Sequence, residues 1–355
     1  MLFDIARTPN TQLSNHYEDS GWVISMDKGW KQSSHGDTVC FHKGIQGNSC
    51  TIAVSDGGWT LETSDLRTFP IWTDEIEERV ANCVPLHRRI HQFNTISYDQ
   101  GLNIRYTEPE WYDRLERTLH LMDRTDALDT MCQWLVLRAE QLPDMPIKCA
   151  YTGGVDTAVI MSALKYAKRD FTVVNEITHT KQPNHEYIWS HNKQAGGTFW
   201  GYDQLADTQE PHIQATGFWG DEWLQRNPLY VHLYLQQWDR NITQEFDQAG
   251  KSYMLGFFNE GYREKIADLV PEPNPRKSMM QRMTNDFQMW HMDECLTWTP
   301  FCDREVLEIS LTLDPDTVID QCVNAGFSRN LIRRLGNEKM LDVLNVNKNN
   351  RIPKQ

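Results

Sequence analysis

The sequence predicts an α/β fold, a parallel sheet with flanking helices, preceded by an N-terminal, mostly antiparallel β domain. Three observations carry this expectation. Residues 147–151 form a short apolar run that turns through Gly153 and Gly154 into an apolar helical stretch. Asp170–Val174 follows as a second run rich in β-branched residues, completing the strand–helix–strand order of a parallel crossover unit. The residues before 105 alternate short β-branched and aromatic runs with Gly, Asp and Asn, whereas those after 221 read as successive helices. The division that follows is a β-rich domain over 1–105, a helical connection over 106–146 and an α/β domain over 147–355.

Taken in order, the expected strands of the first domain are Gly21–Met26, Thr38–Lys43, Thr51–Val54, Trp59–Thr63 and Phe69–Trp72. Gly47-Asn48 and Asp56-Gly57-Gly58 mark turns between them, and short strands at this spacing suggest a small sandwich. Helical spacing begins at Pro109–Leu119. A second helix is expected over Thr125–Gln141, with Leu128, Met131, Cys132, Leu135 and Val136 on one face. After the glycine turn the apolar helix runs to Ala167, and a further helix is expected over Asn184–Gln194, then a strand over Thr198–Trp200. The remaining helices are placed at 221–238, 241–249, 275–293, 303–312 and 328–336.

Composition narrows the function. The 355 residues carry 35 basic and 49 acidic side chains, a net charge of -14. That balance argues against non-specific nucleic-acid binding, which depends on neutralising phosphates. Mean hydropathy is -0.61, and no apolar run has the length that spans a bilayer. The N-terminus lacks the basic and apolar regions of a signal peptide, and the eight cysteines contain no Cys-x-x-Cys pair. Reduced thiols in a cytoplasmic protein are therefore expected, rather than a zinc site. The scattered histidines show no metal spacing.

The chemistry concentrates in Ala150-Tyr151-Thr152-Gly153-Gly154-Val155-Asp156-Thr157. A strand that turns through glycines into a helix presents backbone N–H groups at the positive end of the helix dipole, a ready anion site. Gly153 and Gly154 let the backbone approach a phosphate, and Thr152 and Thr157 add hydroxyl donors. Asp156 would repel a bare anion; it fits if Mg²⁺ lies between acid and phosphates. An ordinary strand–turn–helix corner is the alternative. A similar pattern recurs at Gln214-Ala215-Thr216-Gly217-Phe218-Trp219-Gly220-Asp221-Glu222: a strand end, glycines, then acids. Asp221 is either a second Mg²⁺ ligand, opposite Asp156, or a helix N-cap.

Thr152-Gly153-Gly154-Val155-Asp156-Thr157 resembles the pyrophosphate loop of the N-type ATP pyrophosphatases, the PP-loop superfamily, with threonines in place of both serines. Thr216–Glu222 is similar to the Ser-Gly-x-Gly-x-Asp-Glu segment of its asparagine synthetase branch, with one glycine displaced. Trp298–Glu308 is similar to that branch's Arg-x-Pro-Phe-Leu-Asp stretch, and Arg329–Arg333 to its Lys-x-x-Leu-Arg segment. The resemblance covers about residues 147–335. It implies ATP and Mg²⁺, with Thr152, Gly153, Gly154, Thr157, Thr216 and Gly217 on the triphosphate, Asp156 and Asp221 on the metal, and Ala150 and Val174 lining the adenine pocket. It places Arg329 as the catalytic cation on the developing negative charge, where the family has lysine.

The same resemblance reads the first domain as a shortened glutaminase-like domain. Met1 is followed by Leu2 and no cysteine precedes Cys40, so the N-terminal nucleophile of active glutaminases is missing. Phe218 stands where asparagine-forming enzymes carry glutamate, and phenyl cannot abstract a proton. If a base is required, Tyr230, His232 and Tyr234 are the nearby candidates. The expectation is an AMP-forming ligase of the β-lactam synthetase kind, which joins a small-molecule or peptide carboxylate to an amine and releases pyrophosphate. The alternatives are a nucleobase- or tRNA-modifying PP-loop enzyme and an inactive interaction module of the same fold. A homo-oligomer or a protein partner through the β domain stays open.

Overall fold

The computed structural model describes residues 3–45, 48–55, 57–63, 71–82, 86, 88–90, 94–106, 121–151, 154–175, 212–217, 220, 241–250, 296–342 and 344. The expected helices at 109–119, 184–194, 221–238 and 275–293, and the strand at 198–200, lie outside these residues.

The N-terminal part is a two-sheet β structure. Its strands are β1 (Phe3–Ala6), β2 (Asn15–Asp19), β3 (Trp22–Met26), β4 (Lys31–His35), β5 (Thr38–Ile45), β6 (Asn48–Ser55), β7 (Gly58–Thr63), β8 (Ile71–Asp74), β9 (Arg79–Ala81), β10 (Arg88–Ile90), β11 (Asn94–Tyr98) and β12 (Leu102–Tyr106). Among the described residues they form two six-stranded sheets, ordered β10-β8-β9-β1-β3-β2 and β12-β11-β7-β6-β5-β4. Alternation decides the faces. Phe3, Ile5, Trp22, Ile24 and Met26 of one sheet meet Phe41, Ile52, Val54, Trp59, Leu61 and Ile96 of the other, and all are buried. Trp22 and Trp59 meet edge to face at 5.6 Å, and the Arg7 guanidinium covers the Trp22 ring at 3.8 Å.

All five strands expected in this region are present, Phe69–Trp72 in the form of β8. The others were not foreseen. β1 is four residues long, and β2 and β4 are polar strands at the sheet edges, with every residue of β4 exposed. Polar edge strands carry little apolar periodicity, and they blunt the sheet edge against further pairing.

The second part holds a four-stranded parallel sheet. Its strands are β13 (Ile147–Tyr151), β14 (Thr172–Asn175), β15 (Ile213–Ala215) and β16 (Leu296–Trp298), in the order β14-β13-β15-β16. The helices are α1 (Arg124–Glu140), α2 (Val155–Tyr166), α3 (Ile242–Gln248), α4 (Arg304–Leu311), α5 (Pro315–Asn324), α6 (Gly326–Arg334) and α7 (Lys339–Asp342), with a 3₁₀ turn at Pro300–Cys302 before α4. Asp123, Asp303 and Asp314 cap α1, α4 and α5 by accepting backbone N–H bonds. The expected helix at 125–141 is α1, and those at 241–249, 303–312 and 328–336 are α3, α4 and α6 within two residues at each end. α5 was not foreseen, although Asp314-Pro315 is a cap followed by proline at the first helical position.

Helix α2 is central to this layer. Ala158, Val159, Ile160, Ala163 and Leu164 are fully buried, which is why its sequence is apolar nearly all round. It ends where Lys168 adopts φ 55° and Arg169 N–H reaches back to the Leu164 carbonyl at 2.9 Å. That turn moves the start of β14 to Thr172, two residues after the expected one.

No described helix is long and apolar enough to cross a membrane. Among the described cysteines, Cys50, Cys149 and Cys322 are buried, and Cys40 and Cys132 are half-buried.

Candidate functional site

The sheet order sets the site. From β13 the chain passes through α2 to β14 on one side, then returns to place β15 on the other side of β13, with β16 beyond. Strand order therefore reverses between β13 and β15. At such a reversal the connections leave the carboxyl ends of two neighbouring strands in opposite directions, which opens a crevice there. Register brings the two motifs to the same level. Cys149 pairs with Ala215, so β13 runs on to Tyr151 beside Thr216 and Gly217.

Gly154 is the N-cap of α2 in an extended conformation with φ -76° and ψ 145°, which puts Val155, Asp156 and Thr157 in the first turn. Their N–H groups are among those that an α-helix leaves without an internal partner. The second motif lies directly on this turn. A Cβ on Gly217 would collide with Thr157 N and stand 2.6 Å from the Asp156 carbonyl carbon. A Cβ on Gly220 would stand 2.6 Å from Asp156 Cγ and 2.9 Å from its Oδ1. Gly220 N–H donates to Gly217 O at 3.0 Å. Both glycines are thus required by close approach to one acid at one helix start, and residues 60 apart in sequence form one corner.

The remaining expected site residues fall as follows. Ala150 and Val174 are direct partners across the β13–β14 pair. Thr216 is buried, and its N–H donates to the Trp298 carbonyl at 3.0 Å, so that amide serves the sheet rather than a ligand. Thr152, Gly153 and Asp221 lie outside the described residues, as do Phe218, Tyr230, His232 and Tyr234. Among the described residues no group of three His, Cys, Asp or Glu side chains could hold a metal. Arg329 lies in the first turn of α6, half-buried, with its Nε enclosed and without a hydrogen-bond partner among the described residues. Gly220 has no role among the expected site residues. Its signal was the second glycine of the motif, and its cause is the Asp156 side chain.

A second polar cluster lies beside β16. Arg138 of α1 and Asp303, both buried, form an ion pair through Nε and Oδ2, and Arg138 Nη2 is 3.4 Å from Glu305 Oε2. The hydrogen bond with Asp303, and then burial, raise the Glu305 carboxyl to about 7. The nearer Asp303 takes the guanidinium charge, so Arg138 only partly offsets that rise. Arg138 also lines a cleft of about 340 Å³ with Trp298 and with Lys31 of β4.

No protein-family model matches the chain, and no curated protein matches it in sequence.

Proposed function

We propose that the chain is an ATP-dependent ligase of PP-loop type that activates a carboxyl or carbonyl oxygen, releases AMP and pyrophosphate, and joins the activated carbon to an amine. The observation that carries this reading is the corner where Gly217 and Gly220 lie on Asp156, at the start of α2 and at the reversal of strand order. The α2 amides and Gly154 offer donors and positive dipole to phosphate oxygens. Asp156 supplies the negative ligand that a magnesium ion bridging to those oxygens requires. MgATP supplies the leaving group. The chain's own part is to position it and to balance its charge. Arg329, with an enclosed Nε lacking an acceptor among the described residues, fits an anionic partner. Ala150 and Val174, paired at the β13–β14 side of the crevice, are the adenine wall in this reading.

The β domain is proposed as a shortened glutaminase-like domain that does not release ammonia. Its first cysteine, Cys40, lies inside β5 between Ser33 and Ala53 of the neighbouring strands, not at a strand start. The amine then comes from a second substrate.

The test is pyrophosphate release from MgATP across a panel of carboxylates and amines, wild type beside Asp156→Ala, with MgATP binding measured by calorimetry. Substrate-dependent release that Asp156→Ala abolishes supports the ligase. Absence of MgATP binding by the wild-type chain would sink it.

A further inference from the structure

Helix α6 is fastened at both ends by buried amide side chains. At its start Gln321 of α5, fully buried, donates Nε2 to Ser328 Oγ at 2.6 Å and accepts the Ser328 N–H at Oε1, at 2.9 Å. Just past its end Asn337, also buried, donates Nδ2 to Ser162 Oγ of α2 at 3.0 Å and accepts Lys165 Nζ at 3.0 Å. Ser162 in turn donates its O–H to the Ala158 carbonyl at 2.7 Å. Apolar side chains would fill these places with similar stability, because a buried neutral amide gains little per bond over its bonds to water. What the amides add is register. A one-residue slip of α6 breaks all four bonds at once.

The same contacts fix which way α6 runs. α1 and α2 end together, since Arg169 beyond α2 donates to the Leu142 and Pro143 carbonyls beyond α1. The start of α6 is tied to the start of α1 through Asp320, which pairs with Arg124 and crowds Gly326. The end of α6 is tied to the C-terminal half of α2 through Asn337, which bonds Ser162 and Lys165. Helix α6 therefore begins at the end of the layer where β13 delivers its loop into α2, and Arg329 is the residue after Ser328.

We infer that Gln321 and Asn337 are positioning residues for Arg329, setting the register of α6 so that the guanidinium stays on the crevice side of the layer. This rests on the MgATP reading of the crevice.

The test is a double-mutant cycle on the full chain with MgATP as the probe, calorimetric affinity and melting temperature being read together. Arg329→Ala is expected to weaken MgATP about tenfold, as loss of one charge-assisted contact does. Asn337→Ala is expected to weaken it about fivefold in the wild type and not at all in the Arg329→Ala background. Lys165→Met, which removes one bond from an exposed residue, is the milder variant should Asn337→Ala fail to fold, with about a twofold loss that likewise vanishes without Arg329. A lower melting temperature with unchanged affinity, losses that multiply in the double variant, or no effect of Arg329→Ala each overturns the inference while leaving the MgATP site intact. A wild-type chain that does not bind MgATP overturns the site and the inference together.

Discussion

Gly220 lies against the carboxyl group of Asp156, so close that a Cβ at this glycine would stand 2.6 Å from Asp156 Cγ. Gly217 stands as close to the backbone of the same turn. The two glycines are the means by which the segment after β15 reaches the first turn of α2. Gly217→Ala is expected to cost about 1–3 kcal/mol, since the atoms it meets are backbone and move only with the helix. Gly220→Ala meets both Cβ and Cγ of Asp156 at 2.6 Å; Cβ moves only with the helix backbone, so the cost is expected to be comparable, with displacement of the Asp156 carboxyl in addition. Urea denaturation and MgATP calorimetry on both variants separate the two effects. Unchanged binding by the Gly220→Ala variant would count against the corner as described.

Glu305 makes stability depend on pH. Its carboxyl is raised to about 7 in the folded chain by the hydrogen bond with Asp303 and by burial. The folded state therefore binds more protons than the unfolded state between the ordinary glutamate value and about 7. The contribution is complete below that window and is lost as pH rises through 7. With the side chain 33% exposed, the loss is expected to be about 1 kcal/mol after allowance for solvent screening. Glu305→Gln should flatten this part of the stability–pH curve, as read from denaturation midpoints at pH 5, 6, 7 and 8.

Arg138 and Asp303 are a buried pair, each about 5% exposed. Asp303 also caps α4 by accepting the Glu305 N–H at 3.1 Å. Arg138→Met leaves a buried carboxylate without its main partner and is expected to cost about 3–5 kcal/mol. Replacing both members by apolar residues of similar size should recover much of that, less about 1 kcal/mol for the lost cap. Denaturant midpoints of the single and double variants decide it, and a single variant as stable as the double would refute the pairing argument.

The Cys149 and Cys132 thiols should be inert while the chain is folded. Burial pushes Cys149 up to about 12 and Cys132 up to about 11. Alkylation requires the thiolate, and at pH 8 each is almost wholly protonated. Iodoacetamide labelling read site by site by mass spectrometry should leave Cys149 unmodified until denaturant is added. Fast labelling of Cys149 in the native chain would contradict its placement on β13.

Much of the local structure was legible in the sequence, and the reasons differ by element. β3, β5, β6 and β7 carry β-branched and aromatic residues at period two because one face of each enters the core between the sheets. The run Val155–Leu164 announced α2 because a helix packed on several sides must be apolar on several sides. β15 showed only as the strand end before Gly217, β16 is three residues and too short for any period to register, and β2 and β4 are polar. Such strands exist through their partners' hydrogen bonds, which no residue in them declares.

The sequence by itself determined that Gly153-Gly154-Val155-Asp156 leads a strand into a buried helix, and that glycines recur before Asp221. Backbone conformation and burial are dictated within a few residues, so they leave a local trace. Only the tertiary structure decided that β15 returns to the other side of β13, that Gly217 and Gly220 close on Asp156, and that Gln321 and Asn337 hold α6. These are contacts between residues 7 to 175 positions apart. They are selected by shape and hydrogen-bond pairing after collapse, when the order of strands and the slide of helices are settled by what can be packed without leaving polar groups unpaired.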